Sequence, residues 1–336
     1  MSRDAEIAGF LARHGYAGVR AAPLAQDASI RRYLRLTGGK RPAVLMDAPP
    51  PEDVGWFVRI AAHFAEIGIS APEIFAADIA AGLVLEEDLG DSLYPVVMGE
   101  GEVCGDWPIA SLFDAAIDVL VLMHRAVPPP DLPAWDSAAM RDTALATLLD
   151  WWWPAMFGAQ APDATRADFT TALTDLLAPV ATGPRGFAHR DYFAGNLLWL
   201  PDRADVRRVG VIDFQGASIG HPAYDLVSLL QDARRVIPAP IVERGVTRYL
   251  AARPELDADA FRTAYAACAA QRHLRVVGQW VRLARRDNRP AYLAYGAHTW
   301  TLLHDALRHP AAAPLAAAMD RWIPPARRAN PPDLPA

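Results

Sequence analysis

The stretch Gly186-Phe-Ala-His-Arg-Asp-Tyr-Phe-Ala-Gly-Asn-Leu-Leu-Trp-Leu200, with the apolar run Arg208-Val-Gly-Val-Ile-Asp-Phe214 after it, decides how this chain is interpreted. Asn196 follows Asp191 by five positions, and Asp213 ends the apolar run 22 positions after Asp191. A carboxylate can accept a proton, and a second carboxylate and an amide oxygen are ligands that hard cations such as Mg²⁺ prefer. The two stretches therefore bring a base and two metal ligands into one short piece of chain.

This spacing is that of a kinase catalytic loop followed by a metal-binding aspartate. Phosphoryl transfer depends on positioning and charge neutralisation more than on covalent chemistry. Asp191 is predicted to accept the proton of the attacking hydroxyl, and Asn196 and Asp213 to bind the metal ions that bridge the phosphates. Each of the two stretches alone also has a non-catalytic explanation, because His-x-Asp occurs by chance and an Asp at a strand end often only caps a turn. Their joint occurrence favours phosphoryl transfer.

Composition limits the class of protein. The chain has 336 residues, of which 52% are hydrophobic, and this is enough for two lobes with their own cores. A net charge of -6 without a long basic run disfavours nucleic acid and anionic membranes as partners. Cys104 and Cys268 are far apart and lack Cys-x-x-Cys spacing, so we expect no disulfide framework and no structural zinc site.

The N-terminus is acidic where a signal peptide needs a basic segment followed by an apolar core. The sequence also has no uninterrupted apolar run of about 18 residues, the length typical of a membrane span. We therefore expect a cytoplasmic protein, with no membrane contact and no obligatory protein partner evident.

The pattern of elements predicts an α+β, two-lobed, protein-kinase-like fold. A small β-rich lobe, residues 1–90, ends in a hinge, and a larger, mainly helical lobe, residues 91–336, carries the catalytic loop and the substrate site. Hydrophobic periodicity and turn residues place the first-lobe elements as follows: helix 3–14, strands 19–24, 32–36 and 43–46, helix 53–67, and strands 73–77 and 82–86. Further helices are predicted at 110–127, 168–177, 226–235 and 258–286.

The phosphate side of the first lobe departs from the kinase pattern. The turn at 26–29 has no Gly-x-Gly-x-x-Gly, so the backbone near Ser29 has to approach the phosphates. Kinases carry a phosphate-pairing Lys on the third strand, where this chain has Met46. The cation could come from the neighbouring strand or turn, with Arg31, Arg32, Arg35 and Lys40 as candidates and Arg31 and Arg32 put forward; the alternative is that each is a solvated charge on the strand face.

The predicted hinge is Leu85-Glu-Glu-Asp-Leu-Gly90, an apolar strand that breaks into acidic residues and glycine. In such a hinge, the backbone groups of Glu87, Asp88 and Leu89 can form hydrogen bonds with the edge of an adenine base. The alternative is an ordinary exit from a strand into a loop.

Two features suggest where an acceptor binds. Trp151 and Trp152 belong to a run of three tryptophans that cannot all face one helix stripe, so one or two should line a cleft and stack on a sugar, or else fill the core. Arg272 and Arg275 begin a cationic stripe on the helix 258–286, which is either a solvated face or a site for an anionic group. After Asp213 the chain has no long activation loop and no Ala-Pro-Glu segment, which favours a small-molecule acceptor.

These motifs together resemble the aminoglycoside phosphotransferase superfamily of small-molecule kinases. The resemblance spans nearly the whole chain and rests on His189-Arg-Asp191 with Asn196, Ile212-Asp-Phe214, Leu85-Glu-Glu-Asp-Leu-Gly90 and His221-Pro-Ala-Tyr-Asp225. A narrower resemblance, to the bacterial anomeric kinases of N-acetylmuramate and N-acetylglucosamine in peptidoglycan recycling, rests on Val44-Leu-Met-Asp-Ala-Pro-Pro50, Asp213-Phe-Gln215, Tyr224-Asp-Leu-Val-Ser-Leu-Leu230 and Gln271-Arg-His-Leu-Arg-Val-Val-Gly278. That family also reads Leu-Met-Asp-Ala-Pro where other kinases keep the Lys.

The resemblance implies ATP and Mg²⁺ as cofactors and a sugar 1-phosphate as product. Asp191 is then the base, His189 orients the catalytic loop, Asn196 and Asp213 bind magnesium, and the backbone from Glu87 to Leu89 forms the adenine hinge. Two alternatives stay open at this point. The same scaffold phosphorylates aminoglycosides and other small alcohols, and the missing Lys is also compatible with a nucleotide-binding pseudokinase.

Overall fold

The computed structural model describes residues 2–24, 31–99, 103–104 and 107–334. The strands are β1 (Arg20–Pro23), β2 (Arg32–Thr37), β3 (Ala43–Asp47), β4 (Ile74–Asp78), β5 (Leu83–Glu87), β6 (Val103–Cys104), β7 (Trp107–Pro108), β8 (Ala134–Trp135), β9 (Gly186–Ala188), β10 (Leu197–Trp199), β11 (Val209–Val211) and β12 (Ser218–Gly220).

The α-helices are α1 (Arg3–Arg13), α2 (Gly55–Glu66), α3 (Tyr94–Met98), α4 (Ile109–Arg125), α5 (Ser137–Thr147), α6 (Trp153–Phe157), α7 (Asp163–Leu176), α8 (Ala178–Thr182), α9 (Ala223–Leu230), α10 (Ala239–Ala252), α11 (Ala258–Arg286), α12 (Gly296–Ala306) and α13 (Ala313–Trp322). A π-helical turn, Leu148–Trp152, joins α5 to α6, and short 3-10 turns include Ala194–Asn196. The chain divides into two compact units, residues 1–123 with 194–216 and residues 124–193 with 217–336. The division into lobes 1–90 and 91–336 stays a prediction.

The first unit is built on a five-stranded antiparallel sheet with the order β1-β2-β3-β5-β4. Because side chains alternate along a strand, its register sorts them onto two faces. The α1 face carries Leu34, Leu36, Leu45, Leu83 and Leu85, and several of these share a core cluster with Phe10 and Leu11 of α1. The opposite face, named the Tyr33 face here, carries Tyr33, Arg35, Val44, Met46, Val84 and Glu86.

The second unit is mainly helical and is organised by the 29-residue helix α11. Asp257 caps its first turn, since its carboxylate accepts a hydrogen bond from the Ala260 backbone N–H at 2.8 Å. Gly278 lets α11 approach the end of α5 closely, because a Cβ there would lie 2.2 Å from the carbonyl oxygen of Thr147. A small sheet in the order β8-β12-β9 leads directly into the catalytic loop and into α9. Within the described residues, no helix is long and apolar enough to cross a membrane.

Candidate active site

In the first unit, a hairpin brings Asn196 and Asp213 together. β10 starts directly after Asn196 and pairs with β11, which ends two residues before Asp213, and the Ile212 N–H donates to the Asn196 carbonyl at 3.1 Å. The side-chain amide of Asn196 lies 3.3 Å from one carboxylate oxygen of Asp213. Asp213 has a φ of +60°, a left-handed conformation that is uncommon outside glycine. The left-handed conformation of Asp213 thus changes the direction of the chain just after β11 and leaves the Asp213 carboxylate exposed.

Two neighbours hold Asp213 in this orientation. Gln215 donates its amide N–H to the other carboxylate oxygen at 2.6 Å. Phe214, which is fully buried, stacks on Phe57 of α2 at 4.7 Å and meets Phe64 edge-on at 5.2 Å. Neither Gln215 nor the α2 aromatics were singled out as site residues from the sequence.

The donor set at Asp213 fits Mg²⁺. Within the described residues, no group of three or more His, Cys, Asp and Glu side chains could hold a metal ion. One exposed carboxylate with a nearby amide is nevertheless what Mg²⁺ uses, because this ion takes its remaining ligands from phosphates and water. The pair Asn196 and Asp213 therefore suits a metal that arrives with a phosphate ligand.

The Tyr33 face has no lysine where kinases place one. Met46 of β3 is buried there, and a different cation lies nearby. Arg31 forms an ion pair with Glu52 at 2.9 Å and also hydrogen bonds to Tyr33. Burial and the charge of Glu86 raise the pKa of Tyr33, and Asp213 adds to the shift, so this face senses the carboxylate of the predicted metal ligand.

Arg32 faces the other way. Its side chain lies on the α1 face, where it pairs with the fully buried Asp47, and Asp47 also accepts two hydrogen bonds from Arg3. The alternation of β2 accounts for this, since neighbouring residues point to opposite faces. Arg31, and not Arg32, is therefore the candidate for the cation that replaces the lysine. Ser29, the predicted phosphate-loop residue, lies outside the described residues.

The side chains of the predicted hinge are occupied by ion pairs. Glu87 pairs with Arg203 at 2.6 Å, and Asp88 pairs with Arg35 at 2.7 Å. Asp88 also accepts a hydrogen bond from the N–H of Gly90, whose φ of +83° turns the chain out of the strand. Leu89 lies between these residues and is half-buried. The pairs fix the backbone from Glu87 to Gly90, so that contacts to a ligand are left to main-chain groups.

In the second unit, a buried carboxylate fixes the catalytic loop. Asp225, in the first turn of α9, accepts hydrogen bonds from the backbone N–H groups of His189 at 2.7 Å and Arg190 at 2.8 Å. His124 lies 3.3 Å from the same carboxylate. These bonds hold Arg190 at a φ of +74°, and the loop then presents Asp191 exposed. Asp225 thus braces the loop from the first turn of α9, whose N-cap is Pro222.

His189, the predicted orienting residue, is fully buried in this loop. Its ring lies edge-on to Tyr192 at 5.6 Å. A buried ring of this kind fixes the path of the loop from within.

Three arginines of the second unit, Arg190, Arg272 and Arg275, form what we call the arginine cluster. Burial lowers the pKa of Arg272, and Tyr224, Arg275 and Asp191 are among the groups that act on it. Burial also disfavours the charge on Arg275, but Tyr224 and Asp191 favour it and raise its pKa overall. The phenol of Tyr224 and the carboxylate of Asp191 therefore act electrostatically on all three arginines.

Parts of this cluster lack hydrogen-bond partners among the described residues. The unpaired buried atoms are Nη1 of Arg272, Nε of Arg275 and the indole Nε1 of Trp135. Trp135 also packs beneath Arg190, whose guanidinium carbon lies 4.0 Å from the ring centre. Buried donors are rarely left without acceptors, so these atoms indicate a ligand that brings acceptor oxygens.

Arg272 is also part of the support for the catalytic loop. Its Nε donates to Ser228 Oγ at 2.8 Å, and Ser228 donates to the carbonyl of Arg190 at 3.4 Å. Arg272 is 3% exposed, whereas Arg275 is half-buried, so Arg275 is the more accessible of the two. The expectation of a solvated cationic stripe is wrong for Arg272.

The tryptophan prediction separates into two outcomes. Trp152 is fully buried, donates its indole N–H to the carbonyl of Ala329 at 2.9 Å and packs against Trp300, so the prediction that it lines a cleft is wrong. The π-helical turn rotates the run of tryptophans relative to a regular helix and turns Trp152 into the core. Trp151 is half-buried, and its role as a sugar contact stays a prediction.

A β-sheet unit with an Asp-Phe metal motif and a helical unit with a His-Arg-Asp loop define a kinase-like phosphotransferase. The chain belongs to the phosphotransferase enzyme family, whose profile matches residues 20–258. Among its relatives is a protein of Caulobacter vibrioides named N-acetylmuramate/N-acetylglucosamine kinase, which is 37% identical over 96% of this chain and 97% of the relative. A protein of the same name from Pseudomonas aeruginosa is 34% identical over 81% of this chain and 79% of its own length. The chain is therefore a small-molecule kinase.

Solved structures agree with this fold at low sequence identity. A choline/ethanolamine kinase family protein from Mesorhizobium loti has a TM-score of 0.62 and 18% identity, covering 95% of this chain and all of the other. A GDP complex of aminoglycoside 2'-phosphotransferase-IIIa has a TM-score of 0.60 and 13% identity, covering 91% of this chain and 98% of the other. These likenesses confirm the predicted kinase-like fold.

Proposed function

We propose that this kinase transfers the γ-phosphoryl group of ATP to the anomeric hydroxyl of N-acetylmuramate and N-acetylglucosamine, with Mg²⁺, in cytoplasmic peptidoglycan recycling. The product is the sugar 1-phosphate. The observation that carries the proposal is the arginine cluster, in which Nη1 of Arg272 and Nε of Arg275 lack hydrogen-bond partners among the described residues, because it suits an acceptor that carries a carboxylate. The lactyl group of N-acetylmuramate is such a carboxylate. The names of the relatives support the same substrate.

The roles of the residues follow from their chemistry. Asp191 accepts the proton of the sugar hydroxyl while the new O–P bond forms and the bond from the γ-phosphorus to the ADP oxygen breaks. Asn196 and Asp213 hold Mg²⁺, which neutralises charge on the phosphates. Arg31 supplies the cation that kinases otherwise take from the third-strand lysine. Arg275 binds the lactyl carboxylate, and Trp151 contacts the sugar ring.

Other acceptors of the superfamily fit these groups less well. An aminoglycoside is a polycation and requires acidic side chains around the reacting hydroxyl. The arginine cluster has the opposite charge, and burial keeps it poorly screened. A choline-like alcohol is disfavoured for the same reason. The phosphotransferase family and the kinase-named relatives also disfavour a pseudokinase.

The direct test offers the purified full chain N-acetylmuramate, N-acetylglucosamine, glucose, kanamycin and choline in parallel, with ATP and Mg²⁺. Phosphorus NMR identifies the phosphorylated position. We expect anomeric phosphate on the two N-acetylated sugars. Transfer to kanamycin or choline alone would refute the proposed substrate and leave the fold and the catalytic loop in place.

The Asp191→Asn variant tests the base. Its turnover should fall by about 10²- to 10⁴-fold, because a general base contributes that much, while ADP binding stays within about threefold. Asp175→Asn is the matched control, since Asp175 is an exposed carboxylate of the same unit. Wild-type turnover in the Asp191→Asn variant would remove Asp191 from the mechanism.

A further inference from the structure

Glu86 is a buried acid of the first unit that the mechanism above does not use. It lies on β5, opposite Val44 of β3 and Ile74 of β4, and is 5% exposed. Its Oε2 has no hydrogen-bond partner among the described residues. An unsatisfied buried carboxyl is costly, so a group of this kind indicates a missing partner.

The position of Glu86 indicates what that partner is. Its side chain lies on the Tyr33 face with Met46 and Val84, which is the face that senses the charge of Asp213. The next residue along the chain, Glu87, begins the proposed adenine hinge. A purine whose Watson–Crick edge meets the hinge backbone therefore turns its adjoining edge, the 6-substituent and N7, toward the residue that precedes the hinge.

Glu86 is a neutral acid at pH 7. Burial raises its pKa to about 8. Through Val44, Glu86 stands in register with Arg35 of β2, which pairs with Asp88. On the same face its charge acts on Tyr33, and Arg31 pairs with Glu52. A protonated carboxyl has one O–H donor and one carbonyl acceptor side by side.

We propose that Glu86 makes the nucleotide site select adenine over guanine by reading the 6-position and N7 of the base. Adenine offers a donor at N6 and an acceptor at N7, which matches the acceptor and the donor of a carboxylic acid. Guanine offers two acceptors, O6 and N7, so one of them faces the carbonyl oxygen of Glu86. This inference rests on the proposed function, because that proposal places the base at the hinge.

The test measures binding of the magnesium complexes of ADP, GDP and 7-deaza-ADP to the full chain by calorimetry, without a sugar. The wild type should prefer ADP to GDP by about 5- to 150-fold, as expected for one bidentate base contact. It should also lose affinity for 7-deaza-ADP, which lacks the N7 acceptor. Since no phosphate is transferred, the result is independent of which acceptor the enzyme uses.

Two variants separate base reading from folding. Glu86→Leu fits the apolar neighbours and should reduce the ADP/GDP preference to within about threefold. Glu86→Gln keeps the shape and has an N–H donor beside a carbonyl acceptor, so it pairs with N7 and N6 of adenine as the protonated acid does, and both the ADP affinity and the ADP/GDP preference should stay. The control is Glu73→Gln. Glu73 is exposed and directly precedes β4 of the same sheet, so the ADP/GDP preference of this variant should match that of the wild type.

The outcomes are distinguishable from those of the proposed function. Equal wild-type affinity for ADP and GDP, no affinity for either, an adenine preference that persists in Glu86→Leu, or an adenine preference that is lost in Glu86→Gln would each overturn the inference. If Glu86→Leu does not fold, the Glu86→Gln and 7-deaza-ADP measurements decide the matter. Adenine selectivity with no phosphate transfer to any sugar would support Glu86 as the base reader and refute the proposed acceptor.

Discussion

Among the described residues, each of the two units buries polar atoms that lack hydrogen-bond partners. In the first unit the atom is a carboxyl oxygen of Glu86, and in the second unit the atoms are guanidinium nitrogens of Arg272 and Arg275. Glu86 can become neutral by keeping its proton, and its raised pKa is the result. Arg272 and Arg275 cannot, because a guanidinium stays protonated in proteins. In the absence of a ligand, the buried acid can therefore stay neutral, with one donor and one acceptor. The guanidinium groups stay charged, so their N–H groups without acceptors favour an anionic ligand. The difference indicates a purine in one unit and a carboxylate in the other.

The paired arginines of the first unit complete the contrast. Arg31, Arg32 and Arg35 all form ion pairs, with Glu52, Asp47 and Asp88 respectively. Charge alone therefore does not identify a binding arginine. What sets Arg275 apart is that its buried Nε has no hydrogen-bond partner among the described residues.

The largest expected effect concerns the exposed acid of the first unit. Asp213→Ala should abolish turnover, by about 10³-fold or more, because the metal loses its carboxylate ligand. Glu86 has no such role, so Glu86→Gln should retain turnover with ATP and N-acetylmuramate. Steady-state rates with saturating Mg²⁺ measure both variants. A turnover in Asp213→Ala near the wild-type rate would mean that metal binding does not depend on Asp213.

The second prediction is that the two units respond to pH in opposite directions. Burial lowers the pKa of His221 to about 4, and its Nδ1 accepts a hydrogen bond from the Ala223 N–H. Its contribution to stability is therefore complete above pH 6.5 and is lost as the pH falls toward 4. The pKa of Glu86 is raised, so its contribution is complete below pH 4.5 and is lost as the pH rises through 8.

Urea unfolding of the wild type and of His221→Asn at pH 7.5 and 5.0 tests this prediction. The free energy of unfolding should fall about 2 kcal/mol more in the wild type, because the histidine takes up a proton on unfolding. Asparagine can still accept the hydrogen bond from Ala223. The same loss between the two pH values in both proteins would show that His221 does not titrate on unfolding.

The smallest expected effect comes from comparing Arg32, the first residue of β2, with Arg31, the residue before it. Arg31→Gln should raise the KM for ATP about tenfold, since one charge-assisted contact to the phosphates is lost. Arg32→Gln should leave that KM unchanged and lower the free energy of unfolding by about 1 kcal/mol, because Arg3 still pairs with Asp47. Kinetics and urea unfolding of both variants give the comparison. Equal KM values for the two variants would remove Arg31 from the phosphate site.

Much of the fold could be predicted from periodicity and turn residues. The ends of α11 agree with the predicted range 258–286, and β3 and β5 lie within one residue of their predictions. The bounds were readable because Asp257 and Asn288-Arg-Pro290 are strong local signals. The kinase motifs are local signals too, and they predicted the positions of the His-Arg-Asp loop and of the strand before Asp213.

The errors arose where a side chain's direction depends on distant packing. Arg31 and Arg32 look equivalent in sequence, and only the position of α1 decides which strand face is covered. A regular helix was assumed around Trp152, whereas the π-helical turn changes its direction. Glu86 was overlooked, although an acid that extends the apolar run Leu83-Val-Leu85 was a visible signal. Trp135 meets the arginine cluster from a distant part of the sequence, so no local pattern could indicate it, and Tyr224 lies in a quoted motif that gave it no role.

The central claim is that unpaired guanidinium groups beside Asp191 bind the acceptor's carboxylate. The most direct measurement compares kcat/KM for N-acetylmuramate and for its lactyl methyl ester, in the wild type, in Arg275→Gln and in the control Arg285→Gln, an exposed change on the same helix. We predict that the wild type and the control prefer the acid by at least about tenfold, and that Arg275→Gln loses this preference. Equal use of the acid and the ester by the wild type, or an unchanged preference in Arg275→Gln, would contradict the claim.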